Sequence, residues 1–177
     1  DMDASISWIK KELLSMPPEQ SLQFHAIMHG YRDAADKYRL WTAATLIKEY
    51  GCSDDGFIDF RAWLIAQGKE VYMNALRDPD TLADIEPYGD CCFECLSYVG
   101  DYAYEQLTGR SAYDEMEPDR IEKLRDELKK DIVYKDGIQY PREPKDLPRF
   151  LPRLCEKYGG PERFLAAPST WNYDLHE

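Results

Sequence analysis

Apolar positions recur along most of this chain at spacings of three and four, the repeat that puts side chains on one face of an α-helix. Ile6, Ile9 and Leu13, with Trp8 and Leu14 beside them, predict a first helix. It stops at Met16-Pro17-Pro18, because a residue before proline is pushed out of the helical region. Pro18 can then open a second helix, with Glu19 favourable in its first turn. The clearest stripe in the chain follows: Phe24, Ile27, Met28, Tyr31, Ala35 and Tyr38, with His25 and His29 flanking it. A third helix around Leu40, Trp41, Ala44 and Ile47 ends at Tyr50-Gly51.

The run Cys52-Ser53-Asp54-Asp55-Gly56-Phe57 reads as a helix start. Ser53 is the natural N-cap, able to accept a bond from an amide two or three residues on. Asp54 and Asp55 would stand in the first turn, where the helix dipole favours negative charge. The stripe continues through Phe60, Leu64, Val71, Ala75 and Leu76, as one helix or two nearly collinear ones. Gly68 falls near this face and is expected to let another backbone come close. Asp78-Pro79-Asp80 ends the helix.

Cys92, Leu96, Val99, Ala103 and Leu107 give a further helical face closed by Gly109, and a charged helix follows from about Pro118 to Lys130. Lys135-Asp136-Gly137, flanked by Ile132-Val133-Tyr134 and Ile138-Gln139-Tyr140, is a hairpin signal. Four prolines within 141–152 predict an extended stretch, and Arg153–Tyr158 a short helix. Phe164, Trp171 and Tyr173 suggest that the tail packs back on the body. The expected fold is therefore all-α or nearly so. It is a single helical domain over 1–177, with a minor β-hairpin near 132–140 and a C-terminal extension, 118–177, packed on the rest. Phe24, Met28, Tyr31, Phe60, Leu64, Val71, Leu96 and Val99 are the expected core.

Charge and cysteine content narrow the function classes. The net charge is −12, and residues 51–117 carry 15 acids against 4 bases while both flanks are nearly balanced. Such a surface repels nucleic acid, whose phosphates need clustered Lys and Arg, and suits a basic protein partner. No stretch approaches the roughly 20 apolar residues that span a bilayer. The N-terminus lacks the pattern of a signal peptide. The five cysteines are an odd number and include the adjacent pair Cys91-Cys92, which argues for reduced thiols. A cytoplasmic location is expected, with no membrane and no nucleic acid among the partners.

Cys52 through Lys69, together with Leu40-Trp41-Thr42-Ala43-Ala44 and Ala75 through Ala83, resembles a bacterial family catalogued as domain of unknown function 4240. The resemblance covers roughly residues 15–110. It implies a helical domain and no established activity, so no catalytic or binding residue carries over. Members usually begin with one more helix bearing a Phe-Trp pair, so the chain is expected to be an N-terminally shortened form.

The chemistry-bearing clusters each have a plain structural explanation beside the functional one. His25 and His29, four apart on a helix, have a spacing used in zinc sites. Cys92-Phe93-Glu94-Cys95 adds a CxxC, but there is no second CxxC, and cysteine packs as a small hydrophobe. No metal and no cofactor are expected. Asp54, Asp55 and Asp59 could bind a cation, with Arg61 and Lys69 nearby, yet capping alone explains Ser53, Asp54 and Asp55. Cys52 before a helix start could act as a nucleophile only with a partner base, and none is identifiable. Trp41, Trp63, Tyr31, Tyr38 and Tyr72 could line a groove or simply a core.

Two readings of function follow. The first is a non-enzymatic protein-interaction or regulatory module, of the kind an immunity protein represents, that uses an acidic face. The second is a small enzyme or ligand binder with an aromatic-lined pocket near Cys52–Arg61. Trp41, Asp54, Asp55, Arg61 and Trp63 are the candidate binding residues.

Overall fold

The computed structural model describes residues 1–133, 141 and 143–166. Among the described residues every regular element is helical, so the fold is all-α as the spacing predicts. The helices are α1 (Met2–Leu14), α2 (Pro18–Ala34), α3 (Tyr38–Ile47), α4 (Asp54–Ala66) and α5 (Lys69–Arg77). After a 3-10 segment at Pro79–Asp84 come α6 (Glu94–Thr108), α7 (Ala112–Glu115) and α8 (Pro118–Asp131). The last three are α9 (Leu147–Phe150), α10 (Pro152–Tyr158) and α11 (Pro161–Ala166). The core of the expected hairpin, 134–140, and the aromatics Trp171 and Tyr173 lie outside the described residues. None of the described helices is long and apolar enough to cross a membrane.

Contacts gather the chain into two compact units, 1–34 with 93–131, and 35–92 with 132 onward. In the first unit α2 lies against both α6 and α8, and α1 against α6. The α2–α6 approach is close because Gly100 has no side chain: a Cβ there would stand 3.0–3.1 Å from His25. This places His25, with Ser21 and Met28, on the fully buried face of α2. The predicted stripe residues Phe24, Ile27 and Tyr31 are half-buried instead. The buried face of α2 is therefore rotated from the predicted stripe: α2 serves two neighbours, with a glycine at each approach, Gly100 against His25 on the α6 side and Gly30 against Leu124 on the α8 side. The helix also ends at Ala34 rather than reaching Tyr38, because Lys37 is extended and the chain restarts there as α3. Gly109, in the left-handed conformation, closes α6 with its N–H on Glu105 O. The Ser111 hydroxyl and the Ala112 N–H both donate to Asp101 Oδ1, which seats α7 on α6.

In the second unit α4 begins as the sequence implies. Ser53 Oγ accepts from the Gly56 amide at 3.1 Å, with Asp54 and Asp55 in the first turn. Ser53→Ala is expected to lower stability by about 1 kcal/mol in urea unfolding, the usual cost of a lost serine cap. An unchanged midpoint would show that the bond contributes nothing.

Gly68 corrects a second expectation. No other group lies within 4 Å of where its Cβ would be, so no backbone approaches it. It is glycine because its φ of +94° breaks α4 from α5. Val71, beyond that break, is half-buried rather than core. The stretch 144–150, expected to be extended, is helical. Pro144, Pro148 and Pro152 each sit at the first or second position of a short helical element, where the missing N–H costs nothing.

The C-terminal part of this unit is held by polar anchors. The buried Asp80 carboxylate accepts from the Arg153 and Leu154 amides at 3.2 and 3.0 Å and so caps α10. Arg153 and Lys157 pair with Asp84 and Glu86. Arg163 donates to the carbonyls of Leu46, Lys48 and Glu49, closing the C-terminal end of α3, while Phe164 is buried.

Candidate functional site

The residues proposed from sequence fall into two environments of the second unit. Trp41 and Trp63 belong to a continuous ladder of rings. Tyr38 stacks on Trp41 at 6.2 Å, Trp41 on Phe57 at 5.2 Å, and Phe57 on Phe60 at 6.3 Å. Phe60 then meets Trp63 at 5.5 Å, and Trp63 meets Tyr88 at 5.8 Å. Trp41 Nε1 donates to Cys52 O at 2.7 Å, tying the start of α4 to α3. Arg61 is buried over the Phe57 ring and pairs with Asp36 at 3.4 Å. Phe57, Phe60, Arg61 and Trp63 are buried in the core, while Tyr38 and Trp41 are half-buried at its edge. Asp54 and Asp55 are solvent-exposed in the first turn of α4.

The cavity lies next to this ladder, at its Tyr88 end. A cleft of about 490 Å³ runs between residues 47–51 and residues 87–91. Tyr50 and Tyr88 line it and are 80% and 44% exposed, unlike the tryptophans behind them. One wall is backbone in an uncommon state: Gly89, Asp90 and Cys91 all have positive φ, at 59°, 53° and 51°. A left-handed residue other than glycine costs roughly 1–2 kcal/mol, so two in succession persist only where the surroundings hold them. Two bonds do so. Lys48 Nζ donates to Asp90 O at 3.0 Å, and Gln67 Nε2 donates to the Tyr88 hydroxyl at 3.0 Å while also bonding Trp63 O.

Thiols stand beneath this wall. Cys52 and Cys91 are buried, and burial pushes their pKa values up to about 12 and about 11, with Lys48 opposing only in part. Both are protonated at neutral pH and are poor nucleophiles there. Cys92 Sγ donates to Asp59 at 3.3 Å. No disulfide joins any of the five cysteines.

The histidine pair belongs to the first unit. Its rings stand 4.4 Å apart, and the Tyr113 ring meets both edge-on at 4.5 and 5.4 Å. Arg32 Nη2 donates to His29 Nδ1 at 3.0 Å. Arginine can only donate, so the proton of neutral His29 sits on Nε2, which leaves neither nitrogen free for a metal. Among the described residues no group of three His, Cys, Asp or Glu side chains is arranged to hold a metal ion.

The cleft was not foreseen from sequence. Its only local signals are turn residues, Tyr50-Gly51 and Pro87 to Asp90, which mark loops without saying that two loops will meet. Part of the acidic excess is engaged within the chain: Asp59, Asp78, Asp80, Asp84, Glu86, Asp101 and Glu115 each hold a partner.

Compared with known proteins, residues 1–106 match a family model described as "Protein of unknown function (DUF4240)". No curated protein and no solved structure matches the chain.

Proposed function

The chain belongs to the DUF4240 family, whose description assigns no activity, and we propose that it is a non-catalytic binding module whose recognition site is the cleft between residues 47–51 and 87–91. The observation that carries this reading is the two successive left-handed residues Asp90 and Cys91 forming one wall of that cleft. Strain of this kind concentrates where a surface must be presented in one shape. The cleft is braced from several sides, by Lys48, Gln67 and the carbonyl grip of Arg163, so a partner would meet a preorganised surface and lose less entropy on binding. Two exposed tyrosines suit this role, since they give large contact area with few rotatable bonds. A protein is the favoured partner, with a regulatory or immunity-type role for the complex.

The competing reading, a small enzyme, has less support. The thiols beside the cleft are held protonated, and no histidine is among the residues that line it.

Site-specific photo-crosslinking in the host cell tests the proposal. A photoreactive phenylalanine analogue at Tyr50 or Tyr88 is expected to give one discrete protein adduct, and the same analogue at exposed Trp8 or Tyr113 none. An adduct formed from Trp8 or Tyr113 but from neither cleft position would reject this site.

A further inference from the structure

We infer that the cleft receives a cationic side chain, an arginine or lysine presented by a polypeptide; the inference rests on the reading of the cleft as the recognition site. Three features of the lining point to positive charge. Glu49 and Asp90 are exposed, and neither carboxylate makes a hydrogen bond or ion pair with a described residue, although Glu49 is close enough to Arg163 to act on it electrostatically. Tyr50 and Tyr88 offer exposed ring faces, which attract a guanidinium or ammonium electrostatically. The cations of the neighbourhood are turned inward: Lys48 donates to Asp90 O, and Arg163's hydrogen bonds to the described residues all go to the carbonyls of residues 46, 48 and 49. Lys48 and Arg163 are half-buried while Glu49 and Asp90 are exposed, so the rim meets solvent as carboxylate and ring. The same unit reinforces this. Its residues 51–92 hold 9 acids against 3 bases, and one of those bases, Arg61, is paired within the chain.

An anionic ligand fits worse. It would have to approach two unpaired carboxylates and compete with backbone carbonyls for the donors of Lys48 and Arg163.

The test uses the full chain and three probes: a hexa-arginine peptide, a hexa-glutamate peptide and a neutral Gly-Ser hexapeptide. Backbone amide shifts locate binding and titration gives affinity. Hexa-arginine is expected to shift the signals of residues 47–51 and 87–91, and the other two peptides to shift none. Glu49→Gln with Asp90→Asn should weaken that binding about tenfold, and Tyr88→Leu about threefold, in line with exposed ion pairs and cation–π contacts. Asparagine tolerates the left-handed region as aspartate does, so the unfolding midpoint should stay put. Asp54→Asn with Asp55→Asn removes the same charge elsewhere and should leave the affinity within twofold. Equal weakening by both pairs of substitutions would mean general attraction to an acidic protein and would overturn the inference. Hexa-glutamate or the neutral peptide binding in the cleft would overturn the cation and leave the cleft as the recognition site. Shifts confined to residues outside the cleft, with no crosslink from Tyr50 or Tyr88, would overturn both.

Discussion

Leu64→Ala is expected to cost about 2–5 kcal/mol of unfolding free energy, the range seen when a fully buried leucine is truncated. Leu64 is fully buried on α4, in the helix that carries Phe57, Phe60 and Trp63 of the ring ladder. Phe60 stands one turn before Leu64 on the same helical face, and a rigid ring closes over the space left by an isopropyl group less readily than a flexible side chain does. The cost should therefore fall in the upper part of the range, because the cavity term adds to the lost transfer free energy. Ile65, the next residue, is half-buried, and its truncation should cost clearly less. Urea unfolding of the two variants measures the difference. A Leu64→Ala loss below about 1 kcal/mol would mean that the site collapses or that the helix phase differs.

Mild acid should destabilise the first unit through its two buried histidines. Burial lowers the pKa of His25 to about 4 and of His29 to about 3, and Arg32 pushes both further down while Asp101 partly opposes it. Tyr113 packs on both rings, and Tyr98 and Tyr102 of α6 stand near Tyr113. The folded values lie below the unfolded value of about 6.5, so the unfolded chain binds protons first as pH falls. Stability is thus complete above about pH 6.5 and declines below it, until the folded state itself takes protons near pH 4 and then pH 3. Between pH 6.5 and 5 the loss from His25 should reach about 2 kcal/mol, with His29 adding in the same direction. Chemical unfolding at several pH values in that window gives the slope. In a His25→Gln, His29→Gln variant the slope should flatten even if the variant is less stable overall. A slope unchanged by the substitution would show that these imidazoles are not held neutral.

Much of the helical plan could be read from the residues. Ser53 was legible as a cap because an N-cap bond is local, made between a side chain and an amide three residues on. Gly109 was legible for the same kind of reason, since a left-handed residue closes the helix it follows. The prolines of 141–152 were misread because one residue type serves both extended chain and first helical turns, and neighbours decide between them. Gly68 was misread in a similar way: absence of a side chain serves close packing and positive φ alike, and only coordinates tell which is in use.

The candidate site divides along the same line. Trp41, Arg61 and Trp63 drew notice by residue type, and their types are equally suited to the places they occupy, Arg61 and Trp63 in the core and Trp41 half-buried beside it. Glu49, Tyr50, Tyr88 and Asp90 drew none, because each stands in an ordinary turn and they are brought together only when two loops distant in sequence meet. The sequence by itself determined the helices, their caps, the charge imbalance and the family, all of which depend on neighbours within a few positions or on composition. Tertiary structure alone decided which face of α2 is buried, which acids are paired, and where a cleft opens. Those properties arise from contacts across dozens of residues, where close packing at Gly100 or a carbonyl grip by Arg163 selects one arrangement among many that the local pattern permits.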